Sequence, residues 1–191
     1  MAYLYSRFIV PMFEGFLRSG RLVLDVGCGK GGLGAIVKTV PEKNLNPFIV
    51  GVDLELSMLK SARLFYDDVV LASADYLPFR DKAFDAVFSI EVIEHLSEEQ
   101  GYKHVAEMER TSKRLVVITT PSHFFPQDQV EGSPQIRELM KHKSYWSARY
   151  FRRRGYAVQG LHPVKEWIPP LLAKKFPYLA CSILAYRLFI T

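Results

Sequence analysis

Two stretches of this 191-residue chain carry residue types that do chemistry. In "RLVLDVGCGKGGLGAIV" (21–37), an apolar run holding Asp25 leads into Gly27, Cys28, Gly29, Gly31 and Gly32, after which a helix-like pattern resumes. Glycines at a strand-to-helix turn permit positive φ and let a ligand approach where a Cβ would collide, so the loop is a nucleotide-binding candidate. Gly27, Gly29 and Gly32 satisfy G-x-G-x-x-G, while Gly27, Gly29 and Gly31 satisfy G-x-G-x-G, and the pattern alone does not choose a ligand. In "SIEVIEHLSEEQ" (89–100), Glu91, Glu94 and His95 have E-x-x-E-H spacing. On one helical turn, positions i, i+3 and i+4 share a face. Two carboxylates and an imidazole so placed can remove a proton from an acceptor, or hold a divalent ion that lowers the pKa of a coordinated hydroxyl.

Three acids narrow the ligand of the glycine loop. Asp25 lies two residues before the first glycine, where it would repel a pyrophosphate and attract a ligand bearing ammonium and sulfonium charge. Asp53, closing "GVDL", is suited to accept from ribose hydroxyls. Asp75, in "SADYLPF", could accept from an adenine amino group. Acids at three successive strand ends describe a cationic adenosine ligand.

Such placement requires strands, and the chain alternates between short apolar runs and helical patterns. "RLVLDV" (21–26), "FIVGVD" (48–53), "DVVLAS" (68–73), "FDAVFSI" (84–90) and "RLVVITT" (114–120) read as strands, with "YAVQG" and "SILAYRLFI" as two final ones. Near-continuous apolar strands alternating with helices predict a parallel sheet covered on both faces, an α/β doubly wound fold. Right-handed crossovers then bring the strand ends to one edge, where ligands bind. Ser57 is the expected N-cap of "MLKSARLFY", "SEEQ" (97–100) a capping box opening a helix to about Lys113, and Gly155 a helix stop. "PEKNLNP" (41–47) reads as the loop closing the first helix.

The length suits one domain, 1–191, with an N-terminal helical segment over 1–20. "TPSHFFPQDQVEGSPQ" (120–135) is expected to form a substrate-side loop, within 121–145, over the active edge; Phe124, Phe125 and Tyr5 suit an apolar acceptor or the core equally. Cys28 and Cys181 lack disulfide or zinc spacing, which fits a cytoplasmic location. The apolar N-terminus is interrupted by Arg7, Pro11, Glu14 and Arg18 and does not read as a signal peptide. "FPYLACSILAYRLFI" is too short for a membrane span.

"VLDVGCGKGG", "GVDLELSMLKSAR", "ASADYLPF" and "FDAVFSIEVIEHL" together resemble the successive motifs of class I S-adenosylmethionine-dependent methyltransferases, over roughly residues 20–160. The resemblance implies a Rossmann-like seven-stranded sheet in the order 3-2-1-4-5-7-6, the last strand antiparallel. It also implies S-adenosylmethionine as cofactor. Asp25 and the backbone of Gly27, Cys28 and Gly29 would hold its methionine part, Asp53 and Leu54 the ribose, and Asp75 and Tyr76 the adenine. Ser89, Ile90 and Glu91 would line the floor, and Gly31 belongs to the same loop. The E-x-x-E-H segment is similar to the metal-site motif of ubiquinone-pathway O-methyltransferases and of small-RNA 3′-end 2′-O-methyltransferases. The latter carry a further histidine after the fifth strand, which implies a magnesium or manganese site at Glu91, Glu94, His95 and His142, with His123 second to His142. The expected activity is methyl transfer at oxygen to a small molecule or an RNA terminus, with Glu91, Glu94 and His95 catalytic.

Other readings compete. A silent cofactor-binding subunit would share every motif, whereas a nicotinamide-dependent oxidoreductase is disfavoured by Asp25, the short chain and the lack of a Tyr-x-x-x-Lys pair. "RELMKHKSYWSARYFRRRGY" sets seven Lys/Arg, from Arg137 to Arg154, against Glu138, and interleaves them with rings. This suits RNA binding, but the favoured reading is a helix whose aromatics pack on the sheet and whose arginines stay solvated.

Overall fold

All seven apolar runs form strands in a computed structural model of the chain, which describes residues 5–39, 45–123, 133–162, 165 and 168–189. They are β1 (Leu22–Val26), β2 (Phe48–Asp53), β3 (Asp68–Leu71), β4 (Phe84–Ile90), β5 (Ser112–Pro121), β6 (Ala157–Gly160) and β7 (Ser182–Leu188). The helices are α1 (Val10–Phe13), α2 (Gly32–Thr39), α3 (Leu56–Ala62), α4 (Glu98–Thr111), α5 (Pro134–Leu139), α6 (Ala148–Arg153) and α7 (Pro170–Lys175). The sheet order is β3-β2-β1-β4-β5-β7-β6. β1 pairs in parallel with β2 and β4, and β6 pairs antiparallel with β7, as the resemblance implies.

The described chain divides into two compact units, one of Met1–Ser89, Ala106–Val116 and Leu188–Thr191, the other of Ile90–Val105 and Val117–Arg187. In the first, β1 lies between two strands and buries Val23, Leu24 and Val26 completely. A buried aliphatic side chain of this size contributes about 1.5–3 kcal/mol, and both faces of the strand must be apolar because both are covered. The first turn of α2 approaches the end of α3 so closely that a Cβ on Gly34 would sit 2.5 Å from the Phe65 carbonyl oxygen. That contact fixes the direction in which the glycine loop leaves β1.

In the second unit, Ser97 and Gln100 form the expected capping box: Gln100 N–H donates to Ser97 Oγ (3.3 Å) and Ser97 N–H to Gln100 Oε1 (3.2 Å). On the next turn the Trp146 ring covers Gly101, where an added Cβ would lie 2.1 Å from Trp146 Cζ2. Gly101→Ala is expected to lower the unfolding free energy by about 1–3 kcal/mol despite alanine's better helix propensity. Urea unfolding followed by tryptophan fluorescence would register this as a lower midpoint at unchanged slope.

Some boundaries differ from the sequence expectations. Glu55, not Ser57, caps α3, because its carboxylate accepts from Ser57 N–H (3.1 Å). α4 ends at Thr111 rather than near Lys113: the Arg110 carbonyl accepts from Lys82 N–H (2.8 Å), and Thr111 Oγ1 donates back to the Glu107 carbonyl (2.7 Å). β3 stops at Leu71, since a turn closed by Tyr76 N–H on the Ser73 carbonyl (3.1 Å) follows. Gly155 does follow a helix, α6, with φ of 83°. Most of the expected substrate-side loop, including Phe124 and Phe125, lies outside the described residues, as do residues 40–44 and the Tyr5 side chain; Pro134–Leu139 is helical. Among the described residues, no helix is long and apolar enough to cross a membrane.

Candidate active site

The first unit positions the glycine loop. Gly27, Gly29 and Gly31 take φ of 72°, 53° and 96°, the left-handed region that costs other residues about 1–2 kcal/mol or more. Their reasons differ. A Cβ on Gly29 would meet open space, whereas one on Gly31 would lie 3.0 Å from Ala62 Cα and from the Phe65 ring. Gly29 therefore leaves room for a ligand, and Gly31 meets a packing demand.

The loop's amides decide what charge it can receive. Gly27 and Cys28 N–H both donate to the Val52 carbonyl (2.8 and 2.9 Å), and Gly29 N–H donates to Asp53 Oδ2 (2.9 Å). Three donors that a phosphate would use are thus consumed inside the protein. A carboxylate stands beside the loop. Asp53 is half-buried and also accepts from Glu55 N–H through Oδ1 (2.9 Å). Burial pushes its pKa up, against the pull of those amides.

Asp25 is wholly buried. Its Oδ2 accepts from the Tyr66 hydroxyl (2.5 Å), which in turn receives Gly34 N–H at 3.4 Å. Its Oδ1 is buried with no hydrogen-bond partner among the described residues. Burial, and secondarily the Asp53 charge, push the carboxyl up to about 7 against the Tyr66 hydrogen bond. Cys28 is buried and its thiol is pushed well up by desolvation, so it is no nucleophile.

Asp75 is half-buried and accepts from Ser73 Oγ, while Leu54 and Tyr76 are exposed. Their loop is held by residues the sequence did not single out. Glu107 Oε2 accepts from Leu77 N–H (2.8 Å), and Arg110 donates to the carbonyls of Leu77 (3.0 Å) and Phe79 (2.7 Å) while forking onto the Glu107 carboxylate. Ser89 and Ile90, at the end of β4, are buried.

The second unit gathers the acids and imidazoles. Ligating atoms of Glu94, His95 and His142 lie within 4.8 Å of one another. Glu94 is 2% exposed and accepts from Thr120 Oγ1 (3.1 Å). Burial, then the charge of Glu91, raise its pKa well above the usual carboxylate range. The backbone holds His142 in place, as Lys143 and Ser144 N–H both donate to the Glu94 carbonyl (2.7 and 3.2 Å). His95 Nδ1 faces the Lys141 carbonyl at 3.3 Å. A carbonyl only accepts, so this contact is satisfied by the tautomer with its proton on Nδ1. Burial lowers the pKa of His95 and keeps the ring neutral.

Glu91 stands outside that group. It adopts φ of 56°, an uncommon conformation for a side-chain-bearing residue, fixed by its N–H on the Thr119 carbonyl and Oγ1 (both 3.1 Å). Glu91 Oε2 accepts weakly from Ser182 (3.4 Å) and Oε1 is buried without a partner among the described residues; burial raises its pKa. His123 is exposed and lies against Ser122.

Residues 24–117 match the family described as a methyltransferase domain. The tRNA (carboxymethyluridine(34)-5-O)-methyltransferase of Arabidopsis thaliana is 30% identical over 163 residues, 84% of this chain and 33% of that protein. The chain carries a methyltransferase domain. The (S)-tetrahydroprotoberberine N-methyltransferase of Eschscholzia californica is 28% identical over 113 residues, 56% of this chain and 31% of its relative. This chain thus spans about a third of the length of these two curated relatives. The crystal structure of an S-adenosylmethionine-dependent methyltransferase from Archaeoglobus fulgidus shares the fold, with a TM-score of 0.65 over 98% of this chain and 95% of that one at 19% identity.

Proposed function

We propose that this methyltransferase binds S-adenosylmethionine at the β1–α2 loop and transfers its methyl group to an oxygen acceptor. The observation that supports this reading best is the inward turn of the Gly27, Cys28 and Gly29 amides beside Asp53 and Asp25. A site whose Gly27, Cys28 and Gly29 amides turn inward and which is furnished with acids favours a cation, and the open space over Gly29 admits one. The sulfonium supplies an activated methyl group, so the protein's tasks are alignment and management of the acceptor's proton.

Glu94, His95 and His142 serve that second task. A buried carboxylate with imidazoles beside it suits a divalent cation, whose charge would relieve the cost of burying Glu94. Mixed oxygen and nitrogen ligation fits magnesium or manganese, which would lower the pKa of an acceptor hydroxyl. Oxygen is favoured over nitrogen because the Arabidopsis relative, named for 5-O transfer to tRNA, aligns with 84% of the chain, against 56% for the N-methyltransferase.

Calorimetric titration tests the cofactor. S-adenosylhomocysteine is expected to bind saturably, NAD not at all, and Asp53→Ala to weaken the former by tenfold or more. Absence of saturable S-adenosylhomocysteine binding by the intact chain would overturn the reading.

A further inference from the structure

We propose that the exposed face of α6, continued by Lys141, Lys143 and Tyr145, is a binding track for the phosphate backbone of an RNA acceptor. This rests on the reading of Glu94, His95 and His142 as the acceptor site. Between Lys141 and Lys143 the chain supplies His142, so the track starts at that site.

The charge is one-signed. Residues 141–154 contain Lys141, Lys143, Arg149, Arg152, Arg153 and Arg154 and no acid. Arg149, Arg152 and Arg153 stand at i, i+3 and i+4 of α6, which puts them on one helix face. All three are exposed, and none has a carboxylate within ion-pair distance among the described residues. Among the described residues, the ammonium groups of Lys141 and Lys143 reach one carboxylate, Glu138 (2.6 and 3.8 Å), an exposed pairing that a polyanion displaces at little cost.

The apolar side of the segment is already used. Phe151 and Trp146 are buried, at 0% and 3% exposure, so the packed half of the sequence expectation holds for them. A membrane partner would need large aliphatic groups beside the cations, and α6 exposes none. Exposed rings stand next to it: Tyr145, just before the helix, is 52% exposed and pinned by its hydroxyl on the Ser122 carbonyl (3.0 Å), and Tyr102 of α4 is 45% exposed, 5.6 Å from the Tyr150 ring of α6. Exposed rings flanking a helix face of one-signed charge suit unstacked bases on a phosphate track.

The test is fluorescence anisotropy with labelled bulk tRNA from 50 to 250 mM salt. Arg149→Gln/Arg152→Gln/Arg153→Gln is compared with Lys38→Gln/Lys60→Gln/Arg63→Gln, an equal charge change on α2 and at α3. Each lost phosphate contact flattens the log–log salt slope by about 0.7–0.9. The α6 triple is therefore expected to flatten it by about 2–3 and to weaken binding tenfold or more at 100 mM, the control triple to do neither. Single variants, each flattening the slope by about one, stand in should the triple fold poorly. Equal losses in both triples, no tRNA binding by the wild type, or equal affinity for heparin would each overturn the track. S-adenosylhomocysteine titration of the same samples reports separately on the cofactor reading, which survives those outcomes if binding is intact.

Discussion

Glu94→Gln is expected to lower methyl transfer by two to four orders of magnitude while S-adenosylhomocysteine affinity stays within about twofold, if Glu94 serves the acceptor's proton, as proposed, rather than the cofactor. The substitution keeps shape and the Thr120 hydrogen bond to a side-chain oxygen, yet removes the ionisable oxygen that lies with the His95 and His142 nitrogens. Burial, together with Glu91, already resists ionisation of Glu94, so the variant should fold at least as well as the wild type at neutral pH. Chelation separates the two chemistries. If EDTA depresses the wild type as far as the variant, and manganese or magnesium restores only the wild type, the group holds an ion. If EDTA changes nothing and His142→Ala is also slow, the group relays a proton. Full activity of Glu94→Gln, with methyl-group incorporation measured on tRNA and on phenolic acceptors, would be incompatible with either.

What could be read beforehand follows from which physics is local. Strands buried on both faces must be uninterrupted apolar runs, so β1, β2, β4 and β5 show in the sequence, and the Ser97–Gln100 cap shows because its four residues satisfy one another. Contacts closed by distant partners do not show. Asp25 at the end of β1 looks like a charge presented to a ligand; Tyr66, 41 residues on, takes one oxygen and burial hides the other. Gly31 counts toward a ligand fingerprint, but its lack of a Cβ is demanded by Ala62 and Phe65. Glu94, His95 and His142 meet because two amides of the 143–144 turn bond the Glu94 carbonyl, a constraint with no spacing signature. The same holds for Arg110 and Glu107, which staple the Asp75 loop from a helix that reads as merely charged.

The stability of the ligand-free protein is expected to fall by about 4 kcal/mol between pH 4 and pH 8 through Asp25 alone. Its carboxyl, ordinarily near 3.8, is raised to about 7, and 1.36 kcal/mol per unit gives that size. The sign follows from the raised value. The folded state holds a proton that the unfolded chain has released, so the contribution is complete below about pH 4, is lost as pH climbs to about 7, and is flat above. Asp25→Asn removes the titration, and urea midpoints compared across that window should diverge increasingly in the variant's favour. Burial raises Asp53 as well, so its contribution has the same sign, and the double variant with Asp53→Asn should be flatter still. Identical slopes for wild type and Asp25→Asn would show that Asp25 is ionised throughout. The linkage also reaches the cofactor: a sulfonium that favours the Asp25 carboxylate must expel its proton at pH 7. S-adenosylmethionine should therefore release more protons on binding than S-adenosylhomocysteine, as read from calorimetry in buffers of differing ionisation enthalpy, and the excess should vanish in Asp25→Asn. An equal release for both ligands would make Asp25 a support for Tyr66 and α2, leaving Asp53 as the acid that meets the ligand.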